Sequence, residues 1–217
     1  MKILLTLRNI IKRIIMENKN KDKVVLIDNG HGRDTRGKCS PDKSLYEWQY
    51  AREIAAMVVA GLRDRGIDAR LLVKETYNVP LPTRVKRAND ICNQKGAKNV
   101  LVVSIHNNAA GADGKWHDAN GWQCHVCRNA SENSRRFASL LYKEAENVGL
   151  KLRRPRPKQD WWENDFYIIK YTKCPAVLTE NHFQDNLNDV KYLLSQEGRE
   201  NIVKLHVEAI TKYIETL

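Results

Sequence analysis

Two periodicities alternate along this chain. Short runs rich in β-branched residues, at 24–28, 68–73, 99–105, 121–127 and 175–180, have the length and composition of strands. Stretches with helical spacing separate them. Ser44 opens one in which Ala51, Ile54, Ala55, Val58 and Leu62 form the apolar stripe and Gly66 is placed to end it. Others run from Leu81 to about Gln94, from Ser131 to Gly149 with Phe137, Leu140, Leu141 and Val148 inward, and from Ser195 to Leu217. This alternation predicts an α/β fold: a single domain with a twisted, mostly parallel central sheet and helices on both faces. The run at 99–105 is apolar nearly throughout, as a central strand covered on both faces should be.

Residues 1–22 follow a different pattern. Leu4, Leu7, Ile11, Ile14 and Ile15 fall on one helical face and Arg8, Lys12 and Arg13 on the other. The segment reads as a basic amphipathic leader, flexible or lying on an anionic membrane surface, with residues 23–217 as the folded domain. The rival reading is a frayed terminal helix, or leader residues dispensed with when translation starts at Met16. Charges interrupt its apolar run, so it is a poor signal peptide, and no stretch reaches the roughly 18 apolar residues of a membrane span.

Charge narrows the partners. The 217 residues include 37 Lys and Arg against 26 Asp and Glu, a net +11, which points to a polyanion: nucleic acid, an acidic membrane or a cell-wall polymer. Hydrophobic residues at 42% exclude a disordered chain. The five cysteines, at 39, 92, 124, 127 and 174, have no regular spacing and read as reduced thiols. Strand alternation puts Cys124 and Cys127 on opposite faces, which argues against a metal-binding pair. A basic loop, Lys151 to Lys158, precedes Trp161 and Trp162; nucleic-acid contact, a clamp for substrate carboxylates and a solvated loop all fit it.

Three polar punctuations directly follow predicted strands, where open α/β sheets bind ligands. They are His31 in Asp28-Asn29-Gly30-His31-Gly32, His106 in Ser104-Ile105-His106-Asn107-Asn108, and Glu180 in Leu178-Thr179-Glu180-Asn181. Glu47, at the start of the first helix, is a fourth candidate. Two imidazoles and one carboxylate can form an open zinc site, with the remaining carboxylate as general base. Each residue also has a plainer reading at a strand end or cap. Ser44 and Glu47 fit a capping box, and Gly30 and Gly32 fit a tight turn.

Taken in order, these motifs resemble the zinc-dependent N-acetylmuramoyl-L-alanine amidases of the amidase_3 (AmiC-like) family, from about Val24 to the C-terminus. The family's strand with Asp-Pro-Gly-His-Gly corresponds to residues 28–32, its helix-start Glu to Glu47, its Thr-Arg region and Ala-Asn pair to Arg84 and Ala88-Asn89, and its Ser-Ile-His-Asn to residues 104–107. Its closing Val-Glu-x-Gly-Phe corresponds to residues 178–183. The resemblance implies that His31, Glu47 and His106 bind Zn2+, that Glu180 is the catalytic carboxylate, and that Arg84, Asn107, Asn108 and His182 contact substrate. Asn29 replaces the family's proline, which should loosen the turn, and His182 replaces its glycine, which puts a bulky ring beside Glu180.

The implied function is hydrolysis of the amide between N-acetylmuramic acid and L-alanine in peptidoglycan. A monomeric, endolysin-like enzyme is expected, made in the cytoplasm without a recognisable signal peptide and acting at the cell wall or periplasm after release, with no nucleic-acid partner. The rivals are a zinc peptidase acting within wall peptides and a non-catalytic basic nucleic-acid-binding protein.

Overall fold

A computed structural model describes residues 22–216; the leader expected at residues 1–22 lies outside them but for its last residue. The strands are β1 (Val24–Asn29), β2 (Asp68–Leu71), β3 (Val100–Asn108), β4 (Gln123–Val126), β5 (Trp162–Glu163) and β6 (Ala176–Phe183). The α-helices are α1 (Glu47–Asp64), α2 (Leu81–Lys95), α3 (Glu132–Asn147), α4 (Tyr167–Lys170), α5 (Leu187–Leu194) and α6 (Gln196–Glu215). One sheet runs in the order β2-β1-β3-β6-β4-β5. All its pairings are parallel except β4 against β6. The expected α/β architecture is therefore present, with β1, β3 and β6 as its central strands.

Strand alternation divides the core in two. Val25, Ile27, Val103, Ile105 and Val177 face α1, α3 and α6, whereas Val24, Leu26, Val100, Val102 and Leu178 face α2 and α4. Cys124 joins the first cluster and Cys127 the second, so alternation does separate them. The polar residues that prolong the second face, Asp28, Ser104, His106 and Glu180, stand in matching register: Asp28 beside Ser104 and His106 beside Glu180. Hydrophobic alternation thus fixes which side of the sheet carries the chemistry. No described helix is long and apolar enough to cross a membrane.

A buried histidine makes the fold sensitive to acid. His206 of α6 is fully buried, its Nδ1–H donating to the Ile202 carbonyl at 2.7 Å and its Nε2 accepting from the Thr179 hydroxyl at 3.0 Å. Burial pushes its pKa down from 6.5 to about 4, so folding favours the neutral ring. Its contribution to stability is complete above pH 6.5 and is lost as pH falls toward 4, by up to about 3 kcal/mol. Urea titrations at several pH values should show that His206→Gln removes about one proton's worth of slope across that window; an unchanged slope would contradict the assignment.

Candidate active site

The loop after β1 is held by two arginines and by close packing. Arg84 of α2, 2% exposed, donates from Nη1 to Asp28 Oδ1 at 2.8 Å and to the Asn29 carbonyl at 2.6 Å, and from Nη2 to the His31 carbonyl at 3.1 Å. Arg52 of α1 donates to the same His31 carbonyl at 3.0 Å. Together they hold His31 at φ 56°, a left-handed conformation that a residue with a Cβ adopts only under constraint. Gly30 and Gly32 have ordinary φ and are required by close approach instead. A Cβ on Gly30 would lie 2.5 Å from the His106 ring, and one on Gly32 would lie 2.0 Å from the Asn78 backbone nitrogen. Asn29, where the family has proline, ties the turn to the segment just after β2 through its side-chain amide, which donates to the Val73 carbonyl at 3.2 Å.

Glu47 does not cap its helix. Ser44 turns to Asp42, and Glu47 Oε1 instead accepts from the Asn107 backbone N–H at 3.1 Å and lies 2.9 Å from His106 Nδ1. Its Oε2 is 3.3 Å from His31 Nε2 and has no well-directed hydrogen bond, although it is buried. The two imidazoles meet edge to face, with centroids 5.1 Å apart. One ligand atom from each of His31, Glu47 and His106 falls within 4.8 Å of the others. Burial alone would raise the Glu47 carboxyl, but the hydrogen bond from His106 and the close approach of the His31 imidazole outweigh it and hold the group at about 2. Burial likewise works against a charged His106, and the bond to Glu47 reverses it, raising the imidazole. A buried carboxylate kept ionised and flanked by two imidazole nitrogens fits a divalent cation.

Glu180 stands beside His106 on β6 and opposite Gln123 on β4. Burial raises its carboxyl to about 8, against the downward pull of His106; Glu47 adds to the rise and Lys38 opposes it. Its Oε2 is buried without a hydrogen-bond partner, so nothing within the protein occupies the atom that a substrate or water would meet.

The residues expected to contact substrate are placed differently. Arg84 is consumed by the loop it supports. Asn107 is 3% exposed, its amide donating to the Asn181 carbonyl at 2.6 Å, and the Asn108 side chain accepts from the Ala109 N–H at 2.8 Å. His182, at φ 64°, turns to Asp189, with its Nδ1 3.1 Å from Oδ1 and its ring centroid 5.3 Å from that of Tyr192. Its bulk is therefore spent against α5 rather than beside Glu180. Sequence reading gave no role to Asp28, Arg52 or Asn181. Asn181 accepts from the Trp122 indole at 2.8 Å and donates to the His106 carbonyl at 3.0 Å, fixing the strand end that carries the imidazole.

The chain and its fold have counterparts in known proteins. "Uncharacterized protein YqiI" of Bacillus subtilis strain 168 is 30% identical over 192 residues, 88% of this chain and 84% of that one. N-acetylmuramoyl-L-alanine amidase CwlM of Bacillus licheniformis is 26% identical over 190 residues, 87% of this chain and 67% of that one. The catalytic domain of CwlV, an N-acetylmuramoyl-L-alanine amidase from Bacillus (Paenibacillus) polymyxa var. colistinus, superposes with a TM-score of 0.74 at 26% identity, covering 90% of this chain and 99% of that one. The family described as N-acetylmuramoyl-L-alanine amidase matches residues 25–212, nearly the whole described domain and every residue of the candidate site, and the chain belongs to this Amidase_3 family.

Proposed function

We propose that the protein is a zinc-dependent peptidoglycan hydrolase that cleaves the amide between N-acetylmuramic acid and L-alanine. The observation that carries this reading is the convergence of His31, Glu47 and His106 within 4.8 Å, with Glu180 in register beside His106. His31, Glu47 and His106 would hold a zinc ion, which when bound would supply Lewis-acid polarisation of the scissile carbonyl and lower the pKa of a water toward about 7. The protein's own groups do the rest. Asn107 N–H and the two imidazoles hold Glu47 ionised, and the Arg84 and Arg52 bonds fix the angle at which His31 is presented. Glu180 Oε2 takes a proton from the attacking water and returns it to the departing alanine nitrogen. A carboxyl raised by burial suits that exchange, since its ionised form is a stronger base toward the water and its protonated form can pass the proton on to the nitrogen.

The same reading makes residues 23–217 the catalytic domain of a monomer acting at the cell wall. A lytic role is supported by a relative named Endolysin from Bacillus phage SPP1, 24% identical over 193 residues, 88% of this chain and 66% of that one.

Product analysis on purified sacculi tests the bond. New L-alanine amino termini with intact glycan strands are expected, and cleavage inside the stem peptide would overturn the assignment. Metal removal tests the cofactor. Dialysis against a chelator should abolish release, zinc alone should restore it, and elemental analysis should find one zinc per chain in the wild type and far less in His106→Ala.

A further inference from the structure

The loops that follow β1 and β3 wall a cavity of about 380 Å³ beside the cluster just described, a volume within the range of small-ligand sites. Gln184 and Asp185, directly after β6, line its base. The Gln184 N–H donates to the Asn108 carbonyl at 2.8 Å, and Asp185 Oδ2 accepts from the Ala110 and Gly111 N–H groups at 2.8 and 2.9 Å, so base and wall are locked together. The cavity adjoins the reacting centre through Lys38, which lines it: the Lys38 carbonyl accepts from the Glu47 N–H at 3.0 Å, and its ammonium acts on the Glu180 carboxyl.

Four cations line this cavity: Arg36, Lys38, Lys43 and Lys115. Acidic residues in the same loops are already committed. Asp34 accepts from the Asn78 N–H, Asp42 from Ser40 and Ser44, and Asp113 pairs with His117. None of the four cations has an ion pair among the described residues. At the base the demand is the opposite. Gln184 is 2% exposed and Asp185 6%, and Gln184 Oε1 and Asp185 Oδ1 are buried acceptors without a hydrogen bond. Buried acceptors of this kind call for an N–H donor. A ligand that satisfies both demands carries carboxylates for the cations and amide N–H groups for the base.

We propose that this cavity holds the carboxylate-bearing part of the stem peptide beyond the scissile amide. The proposal rests on the amidase reading above and assigns Lys43, Lys115 and Gln184 as specificity-determining residues for that substrate.

The test compares a soluble muramoyl-peptide bearing free carboxylates with the same compound converted to carboxamides, using the zinc-loaded full chain. Amidation should raise KM about tenfold while kcat holds within about twofold, as expected for losing charge-assisted contacts outside the reacting bond. The exposed pair Lys43→Gln with Lys115→Gln should raise KM for the free acid by a similar factor and leave the carboxamide unaffected. Equal KM for the two substrates, or a variant loss of the same size on both, overturns the cavity assignment. Should the wild type cleave neither compound, the amidase reading fails instead. Calorimetric binding of the two peptides then decides the cavity: tighter binding of the free acid upholds it, and equal affinity overturns it.

Discussion

Glu180→Gln is expected to lose hydrolysis of sacculi by a factor of about 10²–10⁴, the range that a positioned general acid–base group contributes, while keeping its full complement of zinc. The substitution keeps the volume of the side chain and one oxygen, and removes only the ability to take up and return a proton. It touches none of the contacts that assemble the His31–Glu47–His106 cluster: the Glu47 carboxylate still receives the Asn107 N–H and still lies against both imidazoles. Stability gives an internal control. The carboxyl is raised to about 8 because burial disfavours its charge, and its Oε2 has no hydrogen bond to lose. A neutral amide therefore unfolds at the same urea concentration as the wild type or higher. Release of L-alanine termini within tenfold of wild type would remove Glu180 from the reaction. A lower unfolding midpoint together with lost zinc would show that its role is structural.

The parts of this site that can be read in the sequence are those governed by local rules. A strand's alternation places Asp28, Ser104 and His106 on one face, and the abrupt change from apolar to polar at residues 28, 106 and 180 marks where strands end and ligands bind. Where two local rules compete, tertiary structure decides. Ser44 and Glu47 satisfy a capping pattern, but Glu47 goes to His106, 59 residues along the chain, because the first turn of α1 meets the end of β3. Sequence adjacency suggests that His182 crowds Glu180. The register shift in the pairing of β3 with β6, between His106 and Asn108, and a left-handed backbone at His182 turn its ring to Asp189 instead. β5 has two residues and α4 has four, too few for any periodicity to register, and both are held in place by partners distant in sequence. Arg84 illustrates the same limit from the other side, because its residue type invites a substrate role, whereas in the structure its guanidinium is buried on Asp28 and the carbonyls of the loop.

Arg84→Met should therefore be a stability variant, with a cost of about 3–5 kcal/mol in urea unfolding, the penalty for leaving one member of a buried ion pair without its partner. Its guanidinium reaches Asp28, which is 1% exposed, and three carbonyls, those of Asn29, His31 and Val79. Without it Asp28 keeps only the Ser104 hydroxyl, at 2.6 Å, and an uncompensated interior charge. A loss of this size is a large part of the 5–15 kcal/mol that holds a domain together. Arg84→Lys keeps the charge but cannot reproduce a planar fork that serves five acceptors, the Asn78 side-chain oxygen among them, so it should fall between the two. Adding Asp28→Asn to Arg84→Met should restore part of the loss, because it removes the stranded charge; the pair is close enough for a double-mutant cycle to show a clear coupling energy. Metal binding supplies the second readout. His31 is held in its left-handed conformation by bonds from Arg84 and Arg52 to a single carbonyl, so loosening one should weaken zinc affinity in Arg84→Lys even where the chain remains folded. A substrate-binding arginine would behave differently, raising KM with unfolding and zinc affinity unchanged. That result would return Arg84 to the substrate side of the site and leave the conformation of His31 dependent on Arg52 alone.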